Sequence, residues 1–133
     1  MRTRGVGPFD DAEAAYFEAE ILKSDQIRIV AEALYAVPDE DWEYVEHGTG
    51  IRALVAAEMI ADQMGHESGD VPDELHSWIH GFGDADDVLI NRARRAVARV
   101  LQNSETCELW KASERFRDWK PEMNNLLRRL QWR

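Results

Sequence analysis

The sequence predicts an all-α fold, a compact bundle of about six or seven helices spanning residues 1–133 as one domain. Three observations carry that expectation. Apolar residues recur every three to four positions along most of the chain. No stretch alternates polar and apolar residues long enough to make a strand, and no Asn-Gly or Asp-Gly hairpin turn occurs. Capping residues, glycines and prolines punctuate the apolar pattern at intervals suited to short helices. A chain of 133 residues has the size of one domain with one core. No repeat or low-complexity linker marks the start of a second.

The opening Gly5 to Asp11 reads as a turn feeding a helix from about Asp10 to Lys23, with an Asp capping the first N–H groups. Ser24 or Asp25 caps a second helix, in which Ile27, Val30, Ala31, Leu34 and Val37 keep helical spacing up to Pro38. Residues 38–47 are acidic and read as a loop that anchors itself through Trp42 and Tyr44. Gly48-Thr49-Gly50 leads into a helix ending near Met64 and closed by Gly65. At 100° per residue, Arg52, Glu58, Asp62 and Gln63 fall on one narrow stripe of that helix and apolar residues cover the rest, so it is read as the central helix with one solvated face.

Pro72-Asp73-Glu74 opens a short helix to His80, which Gly81-Phe82-Gly83 ends. Asp84 or Asp86 starts a longer helix to about Gln102, with Leu89, Ala93, Ala96, Val97 and Val100 on one face and Arg92, Arg95 and Arg99 on another. Ser104 caps a helix bearing Leu109 and Trp110. The last helix starts near Asp118, takes Pro121 in its first turn and buries Trp119, Met123, Leu126, Leu127 and Leu130.

These landmarks resemble a bacterial family, domain of unknown function 4259. The likeness lies in the opening Gly5 through Asp11, which is similar to a Gly-x-Gly-Pro-Phe-Asp-Asn-Asp pattern, in the alanine-rich helix Ala53 through Met64, and in the Ser-x-x-x-Glu-Leu-Trp block Ser104 through Trp110. The family pattern has a tryptophan where Arg4 stands and an asparagine where Asp11 stands. The resemblance implies an all-helical bacterial fold and supplies no activity and no catalytic residues.

Composition narrows the function classes. The net charge of -10 argues against nucleic acid as a partner. The charge is segregated: residues 1–91 hold 21 Asp+Glu and 5 Lys+Arg, whereas residues 92–133 hold 5 and 11. Basic carboxy-terminal helices lying on acidic amino-terminal ones account for this, and self-association is the alternative. The single cysteine, Cys107, reads as a small buried hydrophobe in a reducing compartment. No apolar stretch has bilayer length or follows a signal pattern at Met1, so a cytoplasmic protein without membrane contact is expected. No cofactor fingerprint, phosphate loop or nucleophile elbow occurs, and carboxylates at the spacing of a helical nucleotide pyrophosphohydrolase are missing.

Several groups remain as candidate sites. His76 and His80 share a helix side at the four-residue spacing of helical metal sites, with His66, Asp84 and Asp86 as further ligand candidates in flanking loops. Glu58, Asp62 and His66 follow at four-residue steps, which suits either a cleft for proton transfer or a solvated face. Phe9, Asp10 and Asp11 form an opening that either binds a ligand or caps a helix. Trp42, Tyr44, Trp78 and Phe82 are aromatics available to an interface if exposed. The leading expectation is a non-enzymatic interaction domain, immunity-like or regulatory, whose acidic part steers a basic protein partner. The alternatives are a small metal-dependent enzyme or binder using His76, His80 and nearby carboxylates, and a homo-oligomeric structural protein.

Overall fold

Helix α3, His47–Gln63, runs through the middle of the molecule and carries the packing. The structure is a computed structural model describing residues 5–131. Among these residues the chain forms an entry turn, Pro8–Asp10, and then α1 (Ala12–Leu22), α2 (Arg28–Tyr35), α3, α4 (Asp73–His80), α5 (Asp87–Gln102), α6 (Glu105–Lys111) and α7 (Phe116–Gln131), with no strand. Arg4, the position where the family resemblance implies tryptophan, lies outside the described residues, as does the start of the segment in which no signal pattern was read. No described helix is long and apolar enough to cross a membrane.

The central role of α3 follows from its composition. Ala53, Ala56, Ala57 and Ala61 are completely buried, and so are Val55, Met59 and Ile60. Small side chains on several faces allow close approach from several directions. All six other helices and the entry turn accordingly contact α3. Helix α5 turns Ile90, Ala93, Ala96, Val97 and Val100 inward, and α7 contributes Trp119, Met123, Leu126 and Leu130. Cys107 is buried as expected, and burial pushes its thiol pKa up.

Most ends lie close to their predicted places, and the differences have physical causes. Asp11 caps α1 through the Glu13 N–H at 2.9 Å, Asp86 caps α5 and Ser104 caps α6. Ser24 does not cap α2; its hydroxyl accepts the Gln26 N–H in a local turn, so α2 starts a turn later. Gly48 and Gly50 do not precede α3 but lie in its first turn. Gly50 serves contact with α6, because a Cβ there would stand 2.6 Å from Thr106 Oγ1. Gly65 ends α3 with φ +89°, and the paired bonds His66 N–H to Ala61 O and Gly65 N–H to Asp62 O form a Schellman closure. Helix α7 begins two residues early, which leaves Pro121 inside it rather than in its first turn.

Candidate functional site

Two regions stand out, the acidic loop between α2 and α3 and a histidine cluster where α4 crosses the end of α3. The loop is not anchored through its aromatics as the sequence led one to expect. Trp42 and Tyr44 are 80% and 61% exposed. The anchors are buried arginines of α5. Arg99 donates to the carbonyls of Glu40 at 3.0 Å and Asp41 at 3.3 Å, and also to that of Glu43. Arg92 donates to Leu34 O at 3.2 Å, to Val37 O and to Asp39 Oδ1 at 2.7 Å. Arg95 takes the other Asp39 oxygen at 2.7 Å, and Asn103 donates to Asp41 O. Val37 and Val45 are buried at the two ends.

Backbone carbonyls in a loop need partners, and α5 supplies them from a rigid helix. The basic stripe read from the sequence is therefore spent on the acidic loop within the same chain. Beside the loop, α1, α2 and α3 enclose an open groove of roughly 610 Å³. Phe17 and Ile29 lie in it, with Glu13, Glu20, Glu32 and Glu46 around them. Arg52 crosses it to Glu13 at 2.9 Å and Glu20 at 3.3 Å. The stripe residue Arg52 thus pairs with carboxylates of α1.

The rest of that stripe is not solvated. Glu58, Asp62 and Gln63 are buried, because α7 and α4 pack over the face that carries them. Burying carboxylates requires compensation, and two different devices provide it. Glu58 receives both Arg129 guanidinium nitrogens at 3.0 Å; burial raises its carboxyl pKa, against the opposing pull of Arg129. Among the described residues, Asp62 meets no fixed cation. Its carboxylate accepts His76 Nδ1–H at 2.9 Å on each oxygen and His80 Nε2–H at 3.0 Å. The ring centroids stand 4.4 Å apart. The hydrogen bond and charge of Asp62 raise the His76 pKa, with Glu67 and Asp73 adding to the effect and burial opposing it.

Asp62, His76 and His80 are thus brought together, with ligand atoms within 4.8 Å of one another. The i, i+4 spacing makes the histidine pair legible, and Asp62 is legible as one carboxylate of the α3 stripe, but which of those carboxylates meets the pair is not. The usable signal was a carboxylate on a helix apolar almost all round. His66 does not join this group: its Nδ1–H donates to Arg129 O at 2.8 Å, and Arg129 donates back to His66 O. Asp86 serves as the α5 cap.

The opening residues form a corner tied to α3 and α6. Asp10 Oδ2 accepts the Gly7 N–H, while Asp11 Oδ2 accepts His47 Nε2–H at 2.7 Å. His47 Nδ1 lies 2.9 Å from Thr106 Oγ1. Phe9 is half-buried against the core. Trp78 donates its indole N–H to Ser24 O at 2.8 Å and packs edge-on to Phe82, so this pair is engaged inside the fold.

The family model described as domain of unknown function 4259 matches residues 3–122. This chain belongs to that family. No curated protein and no solved structure is similar enough to match. In this member of domain family 4259, the matched segment contains the whole loop, all three cluster residues and the Asp11–His47–Thr106 corner. Arg129 lies beyond it.

Proposed function

We propose that this chain is a protein-interaction domain that receives a basic partner protein on the 37–46 loop and the adjoining groove. The observation that carries the reading is the exposure of Trp42 and Tyr44 on backbone held by Arg92, Arg99 and Asn103. A rigid loop loses little conformational freedom on binding, and exposed Trp and Tyr are the side chains that anchor interfaces best. Charge supports a basic partner. Glu40, Asp41 and Glu43 are exposed around Trp42, and Glu32 and Glu46 extend the acidic surface into the groove. Such a field speeds association with Lys- and Arg-rich surfaces and repels acidic ones.

The test uses the full chain and its Trp42→Ala/Tyr44→Ala variant as parallel baits in an extract of the source organism at low and moderate salt. Captured proteins are then joined to the bait by a carbodiimide, which links Lys to Glu or Asp. Support requires a protein held by the wild type, lost by the variant, weakened by salt and cross-linked through Lys to residues 39–46. Identical captures by both baits, or cross-links confined to other faces, reject the reading.

A further inference from the structure

We propose that Asp62, His76 and His80 form a binding site for a divalent first-row transition-metal ion, at the crossing of α3 and α4. Two imidazoles and one carboxylate are a donor set suited to such ions. Three features of the cluster go beyond a buried carboxylate with a partner.

The first is convergence. His76 Nδ1 and His80 Nε2 both reach Asp62 Oδ1, at 2.9 and 3.0 Å. Zinc at ordinary bond lengths in tetrahedral geometry keeps its ligand atoms roughly 3.4 Å apart. The His–Asp separations therefore need to open by only a few tenths of an ångström.

The second is access. Asp62 is buried at the floor, while the side chains of His76 and His80 are 45% and 39% exposed. An ion can enter from the solvent side with the carboxylate already placed beneath it. Helix α4 holds the two rings in register one turn apart, and α3 fixes the third ligand. Neither placement depends on a loop.

The third is charge. Glu58, one turn earlier on α3, meets a permanent guanidinium. Among the described residues, Asp62 meets no guanidinium or ammonium group and is faced by the two imidazole rings. Glu67 Oε2 lies 3.4 Å from His76 Nδ1, and Asp73 adds negative charge near the same ring. The surroundings hold an excess of negative charge that a divalent cation offsets. On binding, each ring nitrogen facing Asp62 gives up its proton and offers its lone pair. A neutral ring moves that proton to its other nitrogen, and a charged ring releases it to water.

The experiment uses the full chain purified without an affinity tag. Zinc chloride is titrated calorimetrically into the wild type, His76→Gln, His80→Gln and the control His47→Gln, with folding checked by circular dichroism. Glutamine keeps an amide donor for Asp62, which protects the fold. The wild type and the His47 variant should take up one zinc per chain, with each cluster variant binding more than about 10-fold more weakly. As a readout independent of substitutions, the imidazole NMR signals of His76 and His80 should move on adding zinc, while those of His47 and His66 should not. Absence of saturable uptake by the folded wild type overturns the proposal. So does an affinity unchanged in both cluster variants, or a shift confined to the other two histidines.

Discussion

The carboxylate of Glu105 caps a helix to which it does not belong, accepting the His47 N–H at 2.7 Å across 58 residues of sequence. Helix α3 has no cap of its own, since Glu46 at that position makes no side-chain bond to the first turn. The tie is reciprocal, because Glu105 N–H donates to Val45 O at 2.9 Å. Replacing Glu105 by alanine should cost about 1 kcal/mol, the usual worth of a cap. Urea denaturation checks this, and Glu108→Ala on the same helix, which has no such role in α3, serves as the comparison.

Gly50 and Thr106 set how closely α3 and α6 approach. Gly50→Ala should destabilise the chain by about 1–3 kcal/mol, because the added methyl meets Thr106 Oγ1. Removing that atom with Thr106→Ala should recover part of the loss, so the double variant should be more stable than the two single effects add up to. Additive effects in a double-mutant cycle would mean that the approach is limited elsewhere.

Arg99→Ala should lower stability by about 2–4 kcal/mol, since a buried guanidinium and several carbonyl partners lose one another. Amide exchange should quicken across residues 38–46 and stay slow in α3. Trp42→Ala should leave stability within about 0.5 kcal/mol of the wild type, because its ring faces solvent. If Trp42→Ala destabilises as much as Arg99→Ala, the loop is held by its aromatics after all.

Asp39 links acidity to the same loop. The Arg92 hydrogen bond, acting against desolvation and joined by the charges of Arg92 and Arg95, holds its pKa below the ordinary aspartate value. A carboxyl depressed by folding adds stability above its unfolded pKa and loses that contribution as pH falls through its folded one. The urea midpoint of the wild type should therefore exceed that of Asp39→Asn at neutral pH. The gap should narrow as the solution is acidified through the lower end of the carboxylate range. A gap independent of pH would show that the ion pair contributes nothing to the fold.

Much of the architecture was legible because it is local. The alanine run of α3, the Asp86 and Ser104 caps and the Gly65 closure are each written within a few residues. What sequence could not supply was the second partner of each long-range contact. Periodicity put Glu58 and Asp62 on one face, but whether that face meets water depends on Arg129, 71 residues beyond Glu58. Likewise, an acidic loop with two aromatics looks self-anchoring until Arg99 is known to reach its carbonyls. His76 and His80 were found by spacing alone. Asp62 stands among the stripe carboxylates offered with them, but nothing near it in sequence announces that α4 folds back over it rather than over Glu58.

The pairing of Arg129 with Glu58 also separates recognition from folding. The family pattern stops at residue 122, yet Met123, Leu126, Leu130 and the counter-ion of a submerged carboxylate all come afterwards. A fragment trimmed to that pattern would expose the apolar surface that α7 covers and leave Glu58 without its counter-ion, and should be insoluble or partly unfolded. The portion by which relatives are detected is thus shorter than the portion that must collapse together.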